Sequence, residues 1–300
     1  MLPARLGPDG VLVVDKPGGA TSHDIVARAR RIFGTREVGH AGTLDPMATG
    51  VLLLLFGEAT KLSHFLTCDS KRYLATVSFG RATDTLDSEG TTTHQAAVPL
   101  ESLHESALEA ALAAERARVQ QVPPSVSAIK VEGRRAYALT RAGAPPELAP
   151  REVKVDELRV VSREATTLTL EVQVSKGYYV RALARDLGAA LGLPAHLASL
   201  RRLASGRFDL TEACTWPPPA AAPLILTAEA ARRTLPVAEL CESGLRRARL
   251  GQPLEAGDFS ARPAVSIGAT EVWFGPAGEL TALGHQRAPG EFRVVRGFRS

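Results

Sequence analysis

A glycine-rich corner, VGHAGTLDPMATG over residues 38–50, holds His40 and Asp45 with four residues between them, and Pro46 follows the carboxylate at once. A carboxylate in so stiff a turn can do two kinds of work. It can cap the turn by accepting local N–H groups, the ordinary use of Asp before Pro. It can also serve as a nucleophile or proton acceptor, since no second acid lies near it in sequence. The second use requires the group to stay ionised in a water-poor pocket, although burial favours the neutral acid. A guanidinium opposes that shift through charge-assisted hydrogen bonds. Arg181 is a candidate, because it sits just inside a helical pattern that follows the sharp break SKGYY. Three other residues read more plainly when taken singly. Tyr73 shares a strand face with Ala75, Val77 and Phe79 and reads as core; His40 reads as a turn residue; Lys16, before Pro17, reads as a solvated turn lysine.

Other chemistries fit poorly. The seven histidines do not cluster, and HESALE at His104 lacks the second His of a zincin helix. No Walker A string is present around Lys61. Ser22, His23 and Asp24 are contiguous and point in different directions, so they cannot form a triad with one another. Gly39 to Gly42 matches the GXXG of KH domains in letters, but a strand follows where a helix is required. No metal or cofactor is expected.

The elements that must position Asp45 are legible around it. Val11–Val14 reads as a buried strand, and Pro17-Gly18-Gly19 turns it. Thr21 or Ser22 can cap the next helix, with Asp24 in its first turn. Ile25, Ala29, Ile32 and Phe33 share one face of that helix, while Arg28, Arg30 and Arg31 lie mostly on the other. The apolar run Val51–Phe56 is a strand, and GEATKLSHFL after it reads as helical. RYLATVSFG and TTLTLEVQV alternate with the strand period of two. An Ala- and Glu-rich helix precedes a basic, Pro- and Gly-punctuated excursion at about 121–150, and Leu183, Leu187 and Leu191 stand in helical register. TWPPPAAAPLIL at 215–226 resembles a linker. Beyond about 235 the chain is Gly-rich, lacks Lys and carries short strand-like runs, the pattern of a small β-barrel.

At 300 residues the chain can bury a full core, with one large and one small domain as the natural division. Its formal charge of +4 and pI near 9.1 suit a polyanionic partner without demanding one. Cys68, Cys214 and Cys241 are far apart and odd in number, which favours a reducing compartment. The opening MLPARLGPDG has no apolar signal-peptide core, and the longest apolar run is too short to span a bilayer. A cytoplasmic protein with no membrane association is expected.

Taken together, these stretches resemble the TruB family of tRNA pseudouridine synthases. GVLVVDKPGGATSHDIV, VGHAGTLDPMATGVLLLLFGEATK, SKRYLATVSFGRATDTLDSEG, QVPPSVSAIKVEGRRAYALTRAG and SKGYYVRALARDLGAALGLPAHLASLRRLASGRF follow the family's blocks in order. The resemblance implies an α+β fold, the pseudouridine synthase fold, with a large mixed, mainly antiparallel sheet flanked by helices. It implies a catalytic domain over 1–234 with an RNA-contacting thumb at about 121–150. The tail, 235–300, resembles the PUA-type RNA-binding module more loosely. The implied reaction is isomerisation of uridine-55 in the T-loop of tRNA by base flipping, without cofactor or metal, by a monomer.

Residue by residue, Asp45 matches the family's catalytic aspartate and Tyr73 the tyrosine that stacks on the target base. Arg181 matches the arginine that pairs with the aspartate, and His40 the histidine that fills the space left by the flipped base. Lys16, Tyr179 and Leu200 fall in blocks that line the pocket. Arg28, Arg31, Lys130, Arg134, Arg135 and Arg141 are expected to hold RNA phosphates. One departure stands out: Val126 occupies a position where the family usually shows an aromatic residue. Two rival readings accompany this one, a non-catalytic RNA-binding or tRNA-folding protein and a sister synthase acting on guide-RNA complexes. The lack of long basic extensions speaks against the second.

Overall fold

The computed structural model describes residues 8–68, 70–98, 105–127, 129–131, 134–136, 139, 144 and 146–299. Its largest element is a nine-stranded mixed sheet. The long strands are β1 (Gly10–Lys16), β2 (Val38–Ala41), β3 (Thr49–Phe56), β4 (Lys71–Phe79), β5 (Val155–Arg163), β6 (Thr167–Val174) and β7 (Ala195–Ser205). From one edge the order is β5, β6, β4, β7, β3, β1 and the short strand Cys214–Thr215, with β2 paired to β3. Only two of these contacts are parallel, β7 with β3 and β1 with Cys214–Thr215. The mixed, mainly antiparallel sheet expected from sequence is therefore observed.

Burial explains which strands alternate. β1 and β3 are covered on both faces, so their apolar residues run without interruption. Leu12, Val14, Leu52, Leu54 and Phe56 enter one core with Ile25 and Ala29 of helix α1 (Ser22–Ile32). Val11, Val13, Val51, Leu53 and Leu55 enter a second core on the opposite face. β4 and β6 are covered on one face and keep the period of two. Ala75 and Val77 of β4 and Leu168, Leu170 and Val172 of β6 are buried against helices.

Local signals set the helix boundaries. Thr21 caps α1, accepting the Asp24 N–H at 3.1 Å, while Asp24 Oδ2 accepts the Thr21 N–H at 2.9 Å, a reciprocal capping box. The segment after β3 begins as a 3-10 helix, Gly57–Leu62, and becomes α-helical only over α2 (Ser63–Cys68). Helix α3 spans Glu105–Arg116 and α4 spans Val180–Leu191. Leu183 and Leu187 are buried, and Gly192 closes α4 in the left-handed conformation.

The proline-rich stretch 215–226 is not a loose linker. Val11 and Ile225 exchange both backbone hydrogen bonds at 2.8 Å, and Pro218 and Ala222 are buried. Prolines deny it a full ladder, and a turn closed by the Ala222 N–H on the Pro219 carbonyl at 2.9 Å leaves its two ends, Thr215 and Ile225, paired with β1. Helix α5 (Thr227–Thr234) follows, then a six-stranded sheet curled into a nearly closed barrel. Its longer strands are β8 (Val237–Leu240), β9 (Thr270–Phe274), β10 (Leu280–Ala288) and β11 (Glu291–Gly297). Helix α5 and the barrel are seated on the large sheet: Ala230 and Ala231 of α5 and Val272, Phe274 and Leu283 of the barrel complete the second core. Buried Glu58 accepts from both the backbone N–H and Nε of Arg299, each at 2.8 Å. Among the described residues no helix is long and apolar enough to cross a membrane.

Candidate active site

Asp45 projects from the turn between β2 and β3, and the backbone on each side of it is fastened to the segment joining β1 to α1. Ser22 Oγ, fully buried, accepts the Leu44 N–H at 2.9 Å and donates to the Leu44 carbonyl at 3.2 Å. The Pro46 carbonyl accepts from Gly19 N–H at 2.9 Å and from Lys16 Nζ at 3.2 Å. Lys16 also donates to the carbonyls of Pro17 at 2.9 Å and Ala20 at 2.7 Å. Its side chain is 0% exposed, so it is not the solvated turn lysine its sequence context suggests. Three donors on one ammonium match three convergent carbonyls, which is what makes its burial tolerable. Burial still lowers its pKa, against the raising effect of Glu89 and Asp45. Lys16 thus lies beneath the Asp45 turn, not on the cleft wall.

Two glycines make room here. Gly50 has φ +98°, and a Cβ there would stand 2.2 Å from the Arg202 carbonyl oxygen. Gly42 has φ +74°, and its Cβ would meet Arg202 Nη1 at 3.3 Å. Both positions need the left-handed freedom of glycine.

Arg181 reaches Asp45 from α4. Its Nε lies 2.9 Å from Asp45 Oδ2 and its Nη2 donates to Oδ1 at 3.2 Å, a two-pronged pairing. The arginine side chain is 7% exposed and the aspartate 35%, so the carboxylate faces an opening while the guanidinium is enclosed. The other end of the guanidinium is also held. Nη1 donates to the Thr85 carbonyl at 3.0 Å and lies 3.6 Å from Asp87 Oδ2. Asp87 is itself fixed, accepting from Thr85 Oγ1 at 2.6 Å and from the Glu89 N–H at 3.1 Å. Between them Leu86 adopts φ +65°, an unusual backbone state for leucine that turns Thr85 and Asp87 toward the arginine. Neither Thr85 nor Asp87 is apparent in the sequence, where the loop reads only as polar. Nearby Glu89 has a raised pKa, first through desolvation and then through Asp87 and Asp45.

Asp45, Tyr73, Tyr179, Arg181, Leu200 and Arg202 are among the residues that line one cleft of about 310 Å³. That volume is at the small end for ligand pockets and suits a single nucleotide better than a stem. Tyr73 stands on β4 in register with Val172 of β6 and Arg202 of β7. Arg202 is 1% exposed; Nε donates to the Val51 carbonyl at 2.6 Å and Nη2 to Gly42 at 2.9 Å. Burial lowers its pKa, and its contact with the Tyr73 hydroxyl works the other way. Arg201 and Arg202 are adjacent in sequence. Strand alternation splits them: Arg201 pairs with Asp15 at 2.7 Å, while Arg202 enters the core. Tyr179 is half-buried at the start of α4, and burial raises its pKa.

His40 does not line this cleft; it is half-buried on β2, edge-to-face with His23 at 5.2 Å between ring centres. Its Nδ1 is buried without a hydrogen-bond partner. Burial, aided by His23 and Arg202, lowers its pKa from 6.5 to about 4, so the ring is neutral near pH 7. The unfolded chain therefore binds a proton that the folded chain refuses, and stability falls as pH drops from 6.5 through about 4. Thermal melts across that window should fall less steeply for His40→Gln than for the wild type; parallel slopes would contradict the assignment.

The expected phosphate-holding residues are less fully placed. Arg28 and Arg31 are exposed on α1, whereas Arg30 turns back to donate to the Val38 carbonyl at 2.9 Å. Lys130 and Arg134-Arg135 fall in two short antiparallel strands, Lys130–Val131 and Arg134–Arg135, whose side chains lie outside the described residues. Arg141 also lies outside the described residues. Val126 is half-buried.

Two family models meet end to end on this chain. Residues 30–180 match the N-terminal domain of TruB family pseudouridylate synthases, and residues 181–231 match the C-terminal domain of tRNA pseudouridylate synthase B. The tRNA pseudouridine synthase B of Mycobacterium avium is 52% identical over 212 residues, covering 69% of this chain and 68% of that protein. Its counterpart from Mycobacteroides abscessus is 46% identical over 257 residues, covering 84% of this chain and 82% of its own. A chain from the crystal structure of a Cbf5–Nop10–Gar1 complex superposes with a TM-score of 0.74 at 24% identity, over 97% of this chain and 84% of that one, a likeness of fold. With residues 30–231 matched, and Asp45 and Arg181 falling one in each matched segment, the chain belongs to the TruB family of tRNA pseudouridylate synthases.

Proposed function

We propose that the chain isomerises uridine-55 in the T-loop of tRNA, with Asp45 as the carboxylate that acts on the ribose. The observation that carries this reading is the two-pronged Asp45–Arg181 pair, open toward a nucleotide-sized cleft with Tyr73 in its wall. The reaction breaks the bond from C1′ to N1, turns the detached uracil, and joins C1′ to C5. N1 gains a proton and C5 loses one, so atoms and charge balance without an oxidant or reductant. The target must first leave its stack, at a cost of a few kcal/mol that is least in a loop. Asp45, oriented by the Arg181 fork, then acts at the sugar as nucleophile or proton acceptor. The clamped turn keeps the carboxylate from drifting, which is where positional catalysis comes from.

The remaining roles follow position. Tyr73 stacks on the everted base, Tyr179 and Leu200 confine it, and Lys16 acts indirectly by holding the turn. Neutral His40 fills space in the RNA. Arg28 and Arg31, with the basic excursion at 121–150, hold phosphates and lose grip as salt rises. Residues 1–234 form the catalytic domain and 235–300 an RNA-binding module, in a cytoplasmic monomer.

The test uses the protein alone with C5-tritiated tRNA. Release of tritium to water is expected from tRNA carrying uridine-55 and not from the same tRNA with cytidine there. Equal release from both would remove the site assignment. Binding without release would leave an RNA-binding protein that performs no chemistry on this loop. In the same assay Tyr73→Phe should bind tRNA normally but turn over slowly, because the ring stays and the hydroxyl beside Arg202 is gone. Normal turnover would mean that only the ring matters.

A further inference from the structure

The excursion at 121–150 leaves and re-enters the fold through a narrow neck. Gln120–Gln121 pairs antiparallel with Arg151–Glu152, with Gln121 opposite Arg151. Gln121 is 2% exposed, an uncommon setting for a glutamine. Both polar atoms of its carboxamide are engaged. Oε1 accepts the Tyr179 N–H at 2.8 Å, and Nε2 donates to the Tyr179 carbonyl at 3.2 Å. The side chain therefore pairs with a single residue as a strand would, through both of its backbone groups.

Tyr179 is where α4 begins. It is the cap residue, and its own side chain makes no capping bond. Its carbonyl already accepts from Ala182 at 3.0 Å and Leu183 at 3.2 Å, so Gln121 adds a third tie at the root of the helix. Arg181 lies two residues farther on. Other bonds bind α4 to the same leg of the neck. Arg185 Nη2 donates to the Val122 carbonyl at 2.9 Å, and Arg118 bridges Glu115 at 2.6 Å and Asp186 at 3.5 Å. Tyr178 donates to Glu115 at 2.6 Å. One helix thus carries the Asp45 partner at its start and grips the outgoing leg of the excursion there too.

We infer that Gln121 is a positioning residue for the isomerisation, a latch that sets the start of α4, and with it the Arg181 fork on Asp45, by the closed neck of the excursion. An apolar residue at 121 would fill the same space but leave the Tyr179 N–H and carbonyl unaligned with the neck. The inference rests on the reading of Asp45 and Arg181 as the reacting pair. Misplacement of a reacting group by about 1 Å costs on the order of a hundredfold in rate, so a small loss of alignment is readily seen.

The test compares the full-length wild type, Gln121→Ala and Gln121→Glu by tRNA affinity, single-turnover tritium release at saturating enzyme, and thermal melting. Gln121→Ala should lose about 30-fold to 100-fold in single-turnover rate, with affinity for tRNA unchanged within about twofold. A buried glutamate takes up a proton and then offers both an acceptor and a donor. Gln121→Glu should therefore be about tenfold faster than Gln121→Ala. A wild-type rate in Gln121→Ala would overturn the inference. So would a rate loss matched by an equal loss of affinity, because the neck would then only hold RNA. If Gln121→Ala melts too low to assay, Gln121→Glu decides, and a folded Gln121→Glu slower than the wild type by 30-fold or more, on the order of a misplaced group, overturns the inference. A wild-type protein that releases no tritium would instead sink the proposed function itself.

Discussion

Asp45→Asn is expected to yield a folded, tRNA-binding protein with no measurable tritium release, a loss of at least about three orders of magnitude, or roughly 4 kcal/mol of transition-state stabilisation. The fold should survive because nothing that shapes the turn depends on the Asp45 side chain. Ser22 holds Leu44, Lys16 and Gly19 hold Pro46, and the Ala48 N–H is taken by the Asp45 backbone carbonyl at 3.1 Å. Asn fits the same space and its amide oxygen can still accept from Arg181. It has no charge to stabilise a ribose-centred cation and no basic oxygen to take a proton. Stability should drop by only about 1 kcal/mol, since Asp45 is a third exposed and Arg181 keeps Thr85 and Asp87. Wild-type release from the purified variant would show that another group does the chemistry.

What the sequence displays and what it hides divide along contact distance. The Thr21–Asp24 capping box, the doubly buried run in β3 and the alternation in β4 and β6 are local patterns, and they appear where periodicity and capping place them. The corner that carries Asp45 is legible for the same reason, since glycines and Pro46 mark it. The groups that make the corner work are joined across the chain and leave no local mark. Lys16 beside Pro17 resembles any turn lysine until the Pro46 carbonyl, thirty residues away, arrives over it. Asp87 lies in a polar loop and gains meaning only when α4 brings Arg181 to it. Arg202 follows Arg201, and only the sheet's alternation decides that one turns inward while the other meets Asp15. Composition misleads once, at 215–226, where prolines suggest a free tether and the backbone of Ile225 is instead bonded to Val11.

Arg181→Lys is expected to cost about as much activity as a misplaced reacting group, on the order of a hundredfold in single-turnover rate, with tRNA affinity nearly unchanged. Arginine here does three things at once: Nε and Nη2 hold both oxygens of Asp45, and Nη1 holds Thr85 beside Asp87. A lysine keeps the positive charge but gathers its donors at one point, so it can sit at Asp45 or at Thr85 and Asp87, not at both. If it sits at Asp87, which is the more buried carboxylate, Asp45 loses its orientation. Arg181→Met separates charge from geometry. It leaves Asp87 buried without its cation and should destabilise the protein by about 3 kcal/mol or more, whereas Arg181→Lys should melt close to the wild type. Equal melting of the lysine and methionine variants would mean that Asp87 does not need the cation. Undiminished turnover in Arg181→Lys would mean that a point charge is enough to hold Asp45 in place, and the two-pronged grip would have no bearing on the reaction.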